Sequence, residues 1–283
     1  MTNAEAAEIE SFISLALKED IGSGDHTSLA TVPAGAKGAA QLLVKQDGIL
    51  AGVEVAREVF KLVDPQLRLT VFIEDGAPVK VGDIAFKVEG NSRSILTAER
   101  LALNFMQRMS GIATKTNLFV QKVEGLPVKI LDTRKTTPGL RIFEKWAVRL
   151  GGGANHRIGL YDMILIKDNH IDFCGGIEKA IETVLEYLRE NDLYLKVEIE
   201  TRNLKEVQKV LDKGGVNRIM LDNFDFDTMR EAVKMIDKKY ETEASGNVNL
   251  ETVRNYAETG VDFISVGAIT HSAVALDLSL KAV

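Results

Sequence analysis

From residue 127 onward the chain repeats one pattern, a short apolar run followed by a helical stretch, and no other feature limits its fold as tightly. The runs are VKILD, MILIKD, LKVEIE, NRIMLD, YETEAS and VDFISVG, and helical periodicity falls at 177–190, 204–213, 226–238 and 249–258. Strands joined through helices pair in parallel, because a crossover returns the chain to the same edge direction. Their near-continuous apolar character suits a sheet covered on both faces. The last four runs begin roughly twenty residues apart, a spacing that suggests closure into a barrel of the TIM type.

The first part of the chain has a different texture. Ile9, Phe12, Ile13, Leu15, Ala16 and Leu17 recur at helical spacing before GSGDHTS breaks the pattern. Between residues 37 and 94 the runs AAQLLVKQDGILAG, LRLTVFI and DIAFKVEG are short and strand-like, with a helix expected at 53–63, which together read as an antiparallel α+β module. A long helix follows in TAERLALNFMQRMSGIATKTNLFVQKV, with Thr97 expected as its N-cap and Gly111 expected to mark a break or a close packing contact.

Bulk properties exclude several classes. A 283-residue chain that is 45% hydrophobic and 27% charged supports one large core or two ordinary ones. The net charge of -6 argues against a broad nucleic-acid surface. No apolar run approaches the ~20 residues of a membrane helix. The acidic N-terminal stretch lacks the basic and apolar regions of a secretory leader, and the single cysteine, Cys174, suits a reducing compartment, so a cytoplasmic location is expected.

In β/α folds the chemistry gathers at the carboxyl ends of the strands. Those ends carry Asp132, Arg134 and Lys135, then Lys167 and Asp168, Glu198 and Glu200, Asp222, Glu243 and Ser245, and Gly267, while GGGANHRIG adds His156 and Arg157. Arginine forks and lysine ammoniums at one mouth call for a multiply anionic substrate. Glu200 and Asp222 suit sugar hydroxyls or a divalent ion bridging phosphates. The small residues of SGN (245–247) and SVGA (265–268) suit a backbone cradle for a phosphate. The pieces add up to a phosphosugar with magnesium beside a polycarboxylate. Each has a plainer reading taken singly. A basic pair after a strand is a solvated loop, His156 a satisfied structural histidine, GGG at 151–153 a flexible turn, and Cys174 a packing thiol. Glu198 and Glu200 share one face of their strand, and buried acids are costly unless paired or metal-bound.

In order and spacing, ILDTRKTTPGLR, GGGANHRIGLYDMILIKDNH, VEIE, LDNF and EASGNV resemble the motifs of the quinolinate phosphoribosyltransferases, also called carboxylating nicotinate-nucleotide pyrophosphorylases. The likeness runs from KEDIGSGDHTS through TAERLALNFMQRMSGIAT to ISVGAITHSAVALDLSLK. It implies an α/β chain with an N-terminal α/β sandwich over 1–110 and an incomplete TIM-like α/β barrel over 111–271, the tail 272–283 returning to the first domain. It implies transfer of phosphoribosyl from phosphoribosyl pyrophosphate to quinolinate, with loss of carbon dioxide and no covalent enzyme intermediate, in NAD biosynthesis. By motif, Arg134, His156 and Arg157 line the quinolinate pocket together with Arg100, which reaches across a homodimer, or a larger assembly, from the partner chain. Lys135 and Lys167 bridge both substrates, Glu200 and Asp222 face the ribose and Mg2+, and these four form the catalytic set. Ser245, Gly246, Asn247, Val266, Gly267 and Ala268 hold the phosphate end, with Asn247 standing where other members have a second glycine. Of the two acids in EIE, Glu200 rather than Glu198 aligns with the binding glutamate. The rivals are a nicotinate-type acceptor on the same fold, a non-catalytic anion binder, and an aldolase using Lys135 or Lys167 as a Schiff base.

Overall fold

The computed structural model describes residues 3–283. In chain order the elements are α1 (Asn3–Ile21), α2 (His26–Thr31), β1 (Lys37–Val44), β2 (Gly48–Ile49), α3 (Val53–Val63), β3 (Arg68–Val71), β4 (Pro78–Val79), β5 (Ile84–Asn91) and α4 (Ser92–Lys122). They continue as β6 (Lys129–Leu131), α5 (Arg141–Leu150), β7 (Ile164–Ile166), α6 (Asp168–Cys174), α7 (Ile177–Glu190), β8 (Val197–Thr201) and α8 (Leu204–Lys213). The chain ends with β9 (Arg218–Asp222), α9 (Phe226–Ile236), β10 (Glu241–Ser245), α10 (Val253–Ala257), β11 (Phe263–Ser265), α11 (Ala268–His271) and β12 (Leu278–Ala282). Two compact units emerge: residues 1–117, 138–152 and 272–283 form the first, and 118–137 with 153–271 the second. Among the described residues no helix is long and apolar enough to cross a membrane.

The first unit is built on an antiparallel sheet of order β12-β1-β5-β3. Its last strand comes from the C-terminal tail, which pairs Leu280 with Leu42 of β1. The amphipathic α3 buries Val55, Ala56, Val59 and Phe60, and Phe60 meets Phe86 of β5 edge-on at 6.0 Å. Residues 138–152 belong here because Phe143 of α5 packs on Phe12 of α1 at 5.4 Å and on Phe105 of α4 at 4.8 Å. The expected boundary between 110 and 111 falls inside α4, which passes without interruption from the first unit into the second.

Two expectations for α4 resolve differently. The helix starts at Ser92, five residues before Thr97, because Asn91 Oδ1 accepts the amides of Arg93 (2.9 Å) and Ser94 (3.3 Å) and so supplies the cap. The Thr97 hydroxyl instead donates to Asp25 Oδ2 at 3.1 Å, and Asp25 caps α2 by accepting the Ser28 amide at 3.0 Å. Gly111 marks a close contact and not a break: a Cβ there would strike the carbonyl oxygen of Val274 in the returning tail.

The second unit carries six parallel strands in the order β6-β11-β10-β9-β8-β7. Flat, such a sheet would hold β6 and β7 about 24 Å apart, five steps of about 4.8 Å. Yet Arg134 just past β6 and Leu165 of β7 border one cavity, so the sheet curls round on itself. No ladder joins β6 to β7, which leaves the barrel incomplete. The helices α7 and α8 lie at the expected 177–190 and 204–213. The last expected helix is shorter, because Asn249 Oδ1 accepts the Thr252 amide at 2.9 Å and turns the chain before Val253.

Gly111→Ala is expected to lower stability by about 1–3 kcal/mol, the usual cost of forcing atoms into a packed site. Gly35→Ala, where an added Cβ meets nothing within 4 Å, serves as the control and leaves the melting temperature in place.

Candidate active site

Alternation along each barrel strand decides which side chains enter the interior. On β8 these are Glu198 and Glu200, on β9 Arg218, Met220 and Asp222, and on β10 Glu243 and Ser245. The parallel register sets Glu200 beside Met220 and Ser245 beside Asp222. Two adjoining cavities open at the carboxyl ends of the strands, of about 630 and 350 Å3. Lys135, Lys167 and Glu200 border both, along with Thr133, Ser245 and Ser265.

The larger cavity brings together Asp222, Ser245, Gly246, Asn247, Val266, Gly267 and Ala268. Its loop after β10 depends on Asn223, which sequence reasoning passed over. The Asn223 amide donates to Ser245 O at 2.9 Å, and its Nδ2 donates to Asp222 Oδ2 at 2.7 Å. A Cβ on Gly246, whose φ is 102°, would collide with the Asn223 carboxamide, so the position is restricted by space as well as by backbone. Asn247 adopts φ 50°, a conformation asparagine tolerates, and its Nδ2 donates to Asn223 Oδ1 at 3.3 Å. The LDN triplet carried that signal, an asparagine directly behind a strand-end acid. A Cβ on Gly267 would press on Lys135 Cδ at 3.1 Å and His271 Cδ2 at 3.2 Å. The Thr270 hydroxyl donates to Lys135 O at 2.8 Å and fixes the loop that carries this lysine.

The smaller cavity gathers Arg134, Lys135, His156, Arg157 and Lys167. Arg100 lines neither cavity; it is exposed on the part of α4 that belongs to the first unit. Lys167 Nζ lies 2.6 Å from Glu200 Oε1, a contact that neutralises the lysine locally. Arg134 Nε is buried and has no hydrogen-bond partner among the described residues, a donor waiting for an anion. Arg157 donates from Nη1 to Met163 O at 3.0 Å. Burial, followed by the nearby Arg134 charge, lowers its affinity for its proton, as expected of cations collected without their anion.

Behind this cavity lies a cluster the motifs did not announce. Asp132, at the end of β6 and fully buried, accepts the His156 amide at 2.9 Å and the Asn155 side chain at 2.5 Å. His156 Nδ1 accepts the Arg157 amide at 2.7 Å. His156 Nε2 faces Glu198 Oε2 at 3.0 Å and Glu243 Oε1 at 3.5 Å. Arg218 Nη1 sits 2.7 Å from Glu243 Oε2 and 4.0 Å from Glu198 Oε2, with its guanidinium 3.9 Å over the Phe263 ring. Glu198, Glu243 and His156 are the one group of three ligating side chains close enough for a single ion among the described residues. A backbone amide can only donate, so Nδ1 is unprotonated and the ring proton of the neutral imidazole sits on Nε2, which blocks metal ligation there.

Burial is the main force on both acids. It pushes Glu198 up to about 7 against the pull of Arg218, and Glu243 up to about 7 with the Glu198 charge adding to the rise. The two titrate as a pair. A raised carboxyl pKa means that the folded chain holds proton the unfolded chain releases above about 4.5. Stability is therefore expected to fall as pH rises from about 4.5 to about 7 and to level off above. Urea midpoints at about pH 5 and about pH 7.5 check the slope, which Glu243→Gln should flatten.

A barrel mouth with a cationic pocket, a small-residue loop pair beside it and two lysines on their border defines a transferase that sets a phosphorylated donor against a carboxylate-bearing acceptor. Residues 25–110 match the N-terminal domain, and residues 112–281 the C-terminal domain, of quinolinate phosphoribosyl transferase. The chain belongs to the quinolinate phosphoribosyltransferase family. A mitochondrial quinolinate phosphoribosyltransferase (decarboxylating) of Nicotiana tabacum is 48% identical over 289 residues, covering 97% of this chain and 82% of that one. The crystal structure of NadC from Streptococcus pyogenes is similar at a TM-score of 0.92 and 38% identity, over 96% of this chain and 95% of that one. A nicotinate-nucleotide pyrophosphorylase from Francisella tularensis superposes with a TM-score of 0.91 at 41% identity, over 98% and 96% of the two chains.

Proposed function

We propose that this chain transfers the phosphoribosyl group of phosphoribosyl pyrophosphate to the ring nitrogen of quinolinate, with decarboxylation, in NAD biosynthesis. The observation that carries this reading is the pair of cavities meeting at Lys135, Lys167 and Glu200. Phosphoribosyl pyrophosphate occupies the larger one, its phosphates on the loops at 245–247 and 266–268 and its ribose hydroxyls toward Glu200 and Asp222. Quinolinate occupies the smaller one, its carboxylates met by Arg134, with its orphaned Nε, and by Arg157.

The ring nitrogen bonds to the ribose anomeric carbon as the bond to pyrophosphate breaks, and the departing oxygens take the electron pair. Lys135 and Lys167 border both reactants and stabilise that charge. The quaternised nitrogen then accepts charge from the neighbouring carbon as its bond to carboxylate breaks and carbon dioxide leaves. That carbon takes up a proton, with Lys135 and Lys167 as the nearest acids in the reading. Nicotinate mononucleotide results. Positioning supplies most of the rest.

Mg2+ fits the residues present. Glu200 and Asp222 offer two hard carboxylates at the rim of the larger cavity, and magnesium is bound by one or two carboxylates with substrate phosphates rather than in an all-protein cage. Bound there, it would screen the pyrophosphate charge. The proposal extends to a homodimer in which Arg100, exposed on α4, completes the acceptor pocket of the partner, and to a cytoplasmic location.

Carboxyl-labelled quinolinate with phosphoribosyl pyrophosphate and Mg2+ is expected to release labelled carbon dioxide together with nicotinate mononucleotide, while nicotinate gives no turnover. Turnover of nicotinate without carbon dioxide would transfer the site to the rival acceptor. Arg157→Ala is expected to raise KM for quinolinate by about 10²-fold or more, the loss of a charge-assisted contact of about 3 kcal/mol, and to leave KM for phosphoribosyl pyrophosphate within about twofold.

A further inference from the structure

The acids inside the barrel have no place in the reaction just described. Glu198 and Glu243 are fully buried, and both oxygens of Glu198 and Oε1 of Glu243 lack well-aligned hydrogen-bond donors among the described residues, while Glu243 Oε2 accepts from Arg218 Nη1 at 2.7 Å. Such groups persist only where something depends on them. What they touch is His156, and what His156 touches is the acceptor pocket.

We propose that Glu198, Glu243 and Arg218 act as positioning residues that lock His156 into its neutral Nε2–H tautomer, and that His156 thereby sets the aim of Arg157. The chain of contacts is continuous. Arg218 of β9, stacked on Phe263, holds Glu243 at 2.7 Å. Glu243 and Glu198 present oxygens to Nε2 at 3.5 and 3.0 Å. The opposite ring nitrogen accepts the Arg157 amide at 2.7 Å, so the plane of the imidazole fixes the backbone from which the Arg157 guanidinium starts.

Hydrogen bonding sets the tautomer. Facing the ring are Glu198 from β8 and Glu243 from β10, with Arg218 of β9 behind these acids, Arg157 on the adjoining loop and Glu200 two residues along β8. Asp132, just past β6, accepts the His156 amide. The Arg157 amide can only donate to Nδ1, which leaves the proton of the neutral ring to Nε2, where acid oxygens lie at 3.0 and 3.5 Å. His156 is then no cationic clamp: Nδ1 accepts the Arg157 amide and Nε2 is turned toward the buried acids. The consequence for catalysis rests on the acceptor reading of the smaller cavity, whereas the tautomer does not.

The experiment uses the full chain labelled with 15N in its four histidines, with His156→Gln identifying the resonance. At neutral pH the His156 ring is expected to show a protonated Nε2 and an unprotonated Nδ1. An imidazolium or an Nδ1–H ring overturns the proposal, as does stoichiometric zinc or manganese that Glu243→Gln abolishes. In the same samples Glu243→Gln is expected to change the His156 signature and to raise KM for quinolinate about tenfold, the worth of one charge-assisted contact, with KM for phosphoribosyl pyrophosphate and kcat within about twofold. Glu243→Asp restores most of the loss. Equal loss for both substrates sinks the positioning role. A wild-type chain inert toward quinolinate sinks the acceptor reading instead, and the nitrogen signature still decides the tautomer. Should Glu243→Gln fail to fold, the wild-type signature and Glu243→Asp decide alone.

Discussion

Two fully buried carboxylates, Glu198 and Glu243, set the terms inside the barrel. Ionised acids of that burial would be held at a cost of several kcal/mol each, which neighbouring positive charge and retained proton must offset. Arg218 supplies the charge, at 2.7 Å from Glu243, and His156 turns Nε2 toward Glu198 at 3.0 Å. Everything above follows from where those partners must stand. His156 is drawn inward from the segment between α5 and β7, Asp132 secures its amide, and Arg157 is left facing the cavity. The floor of the pocket is thus an electrostatic structure first, and the acceptor-binding surface is laid on top of it.

The barrel was legible because short strand-like runs alternate with helices of strict periodicity, so that α7 and α8 fall where the pattern put them. The rim was legible for a related reason. A parallel sheet delivers every strand end to one side, and charged residues at successive ends are costly to explain otherwise. The residues that sequence reasoning missed act through neighbours distant in the chain. Asn223 matters because Gly246 leaves room for its carboxamide, and Arg218 because Phe263 lies beneath it. No local spacing records either contact. The start of α4 was misplaced for the opposite reason: Thr97 has the right chemistry for a cap, but Asn91 reaches the free amides first and Asp25 claims the threonine hydroxyl.

The first unit shows how a distant segment can decide a local feature. Gly111 sits mid-helix, where glycine is unfavourable by about 1 kcal/mol relative to alanine. Its absent side chain admits the tail at Val274, and from there the chain runs on to β12, which completes the sheet beside β1. A small local loss in helix propensity is offset by a strand's worth of ladder bonds. The two ends of the unit's sequence are joined through that one vacancy.

The cations at the mouth are not equivalent, and this distinguishes the two cavities more sharply than their residue types do. Lys167 is already neutralised by Glu200 at 2.6 Å, so an anion arriving beside it competes with a carboxylate in place. A phosphorylated ligand carries enough charge to redistribute that contact, and a ligand with hydroxyls for Glu200 gains from doing so. Arg134 has no such partner for its buried Nε, and Arg157 gives only one N–H to Met163 O. These two hold unspent donors in a fork geometry suited to carboxylates. The proposed division of labour, a sugar phosphate on the lysine side and a ring carboxylate on the arginine side, therefore rests on which charges the protein has already paired.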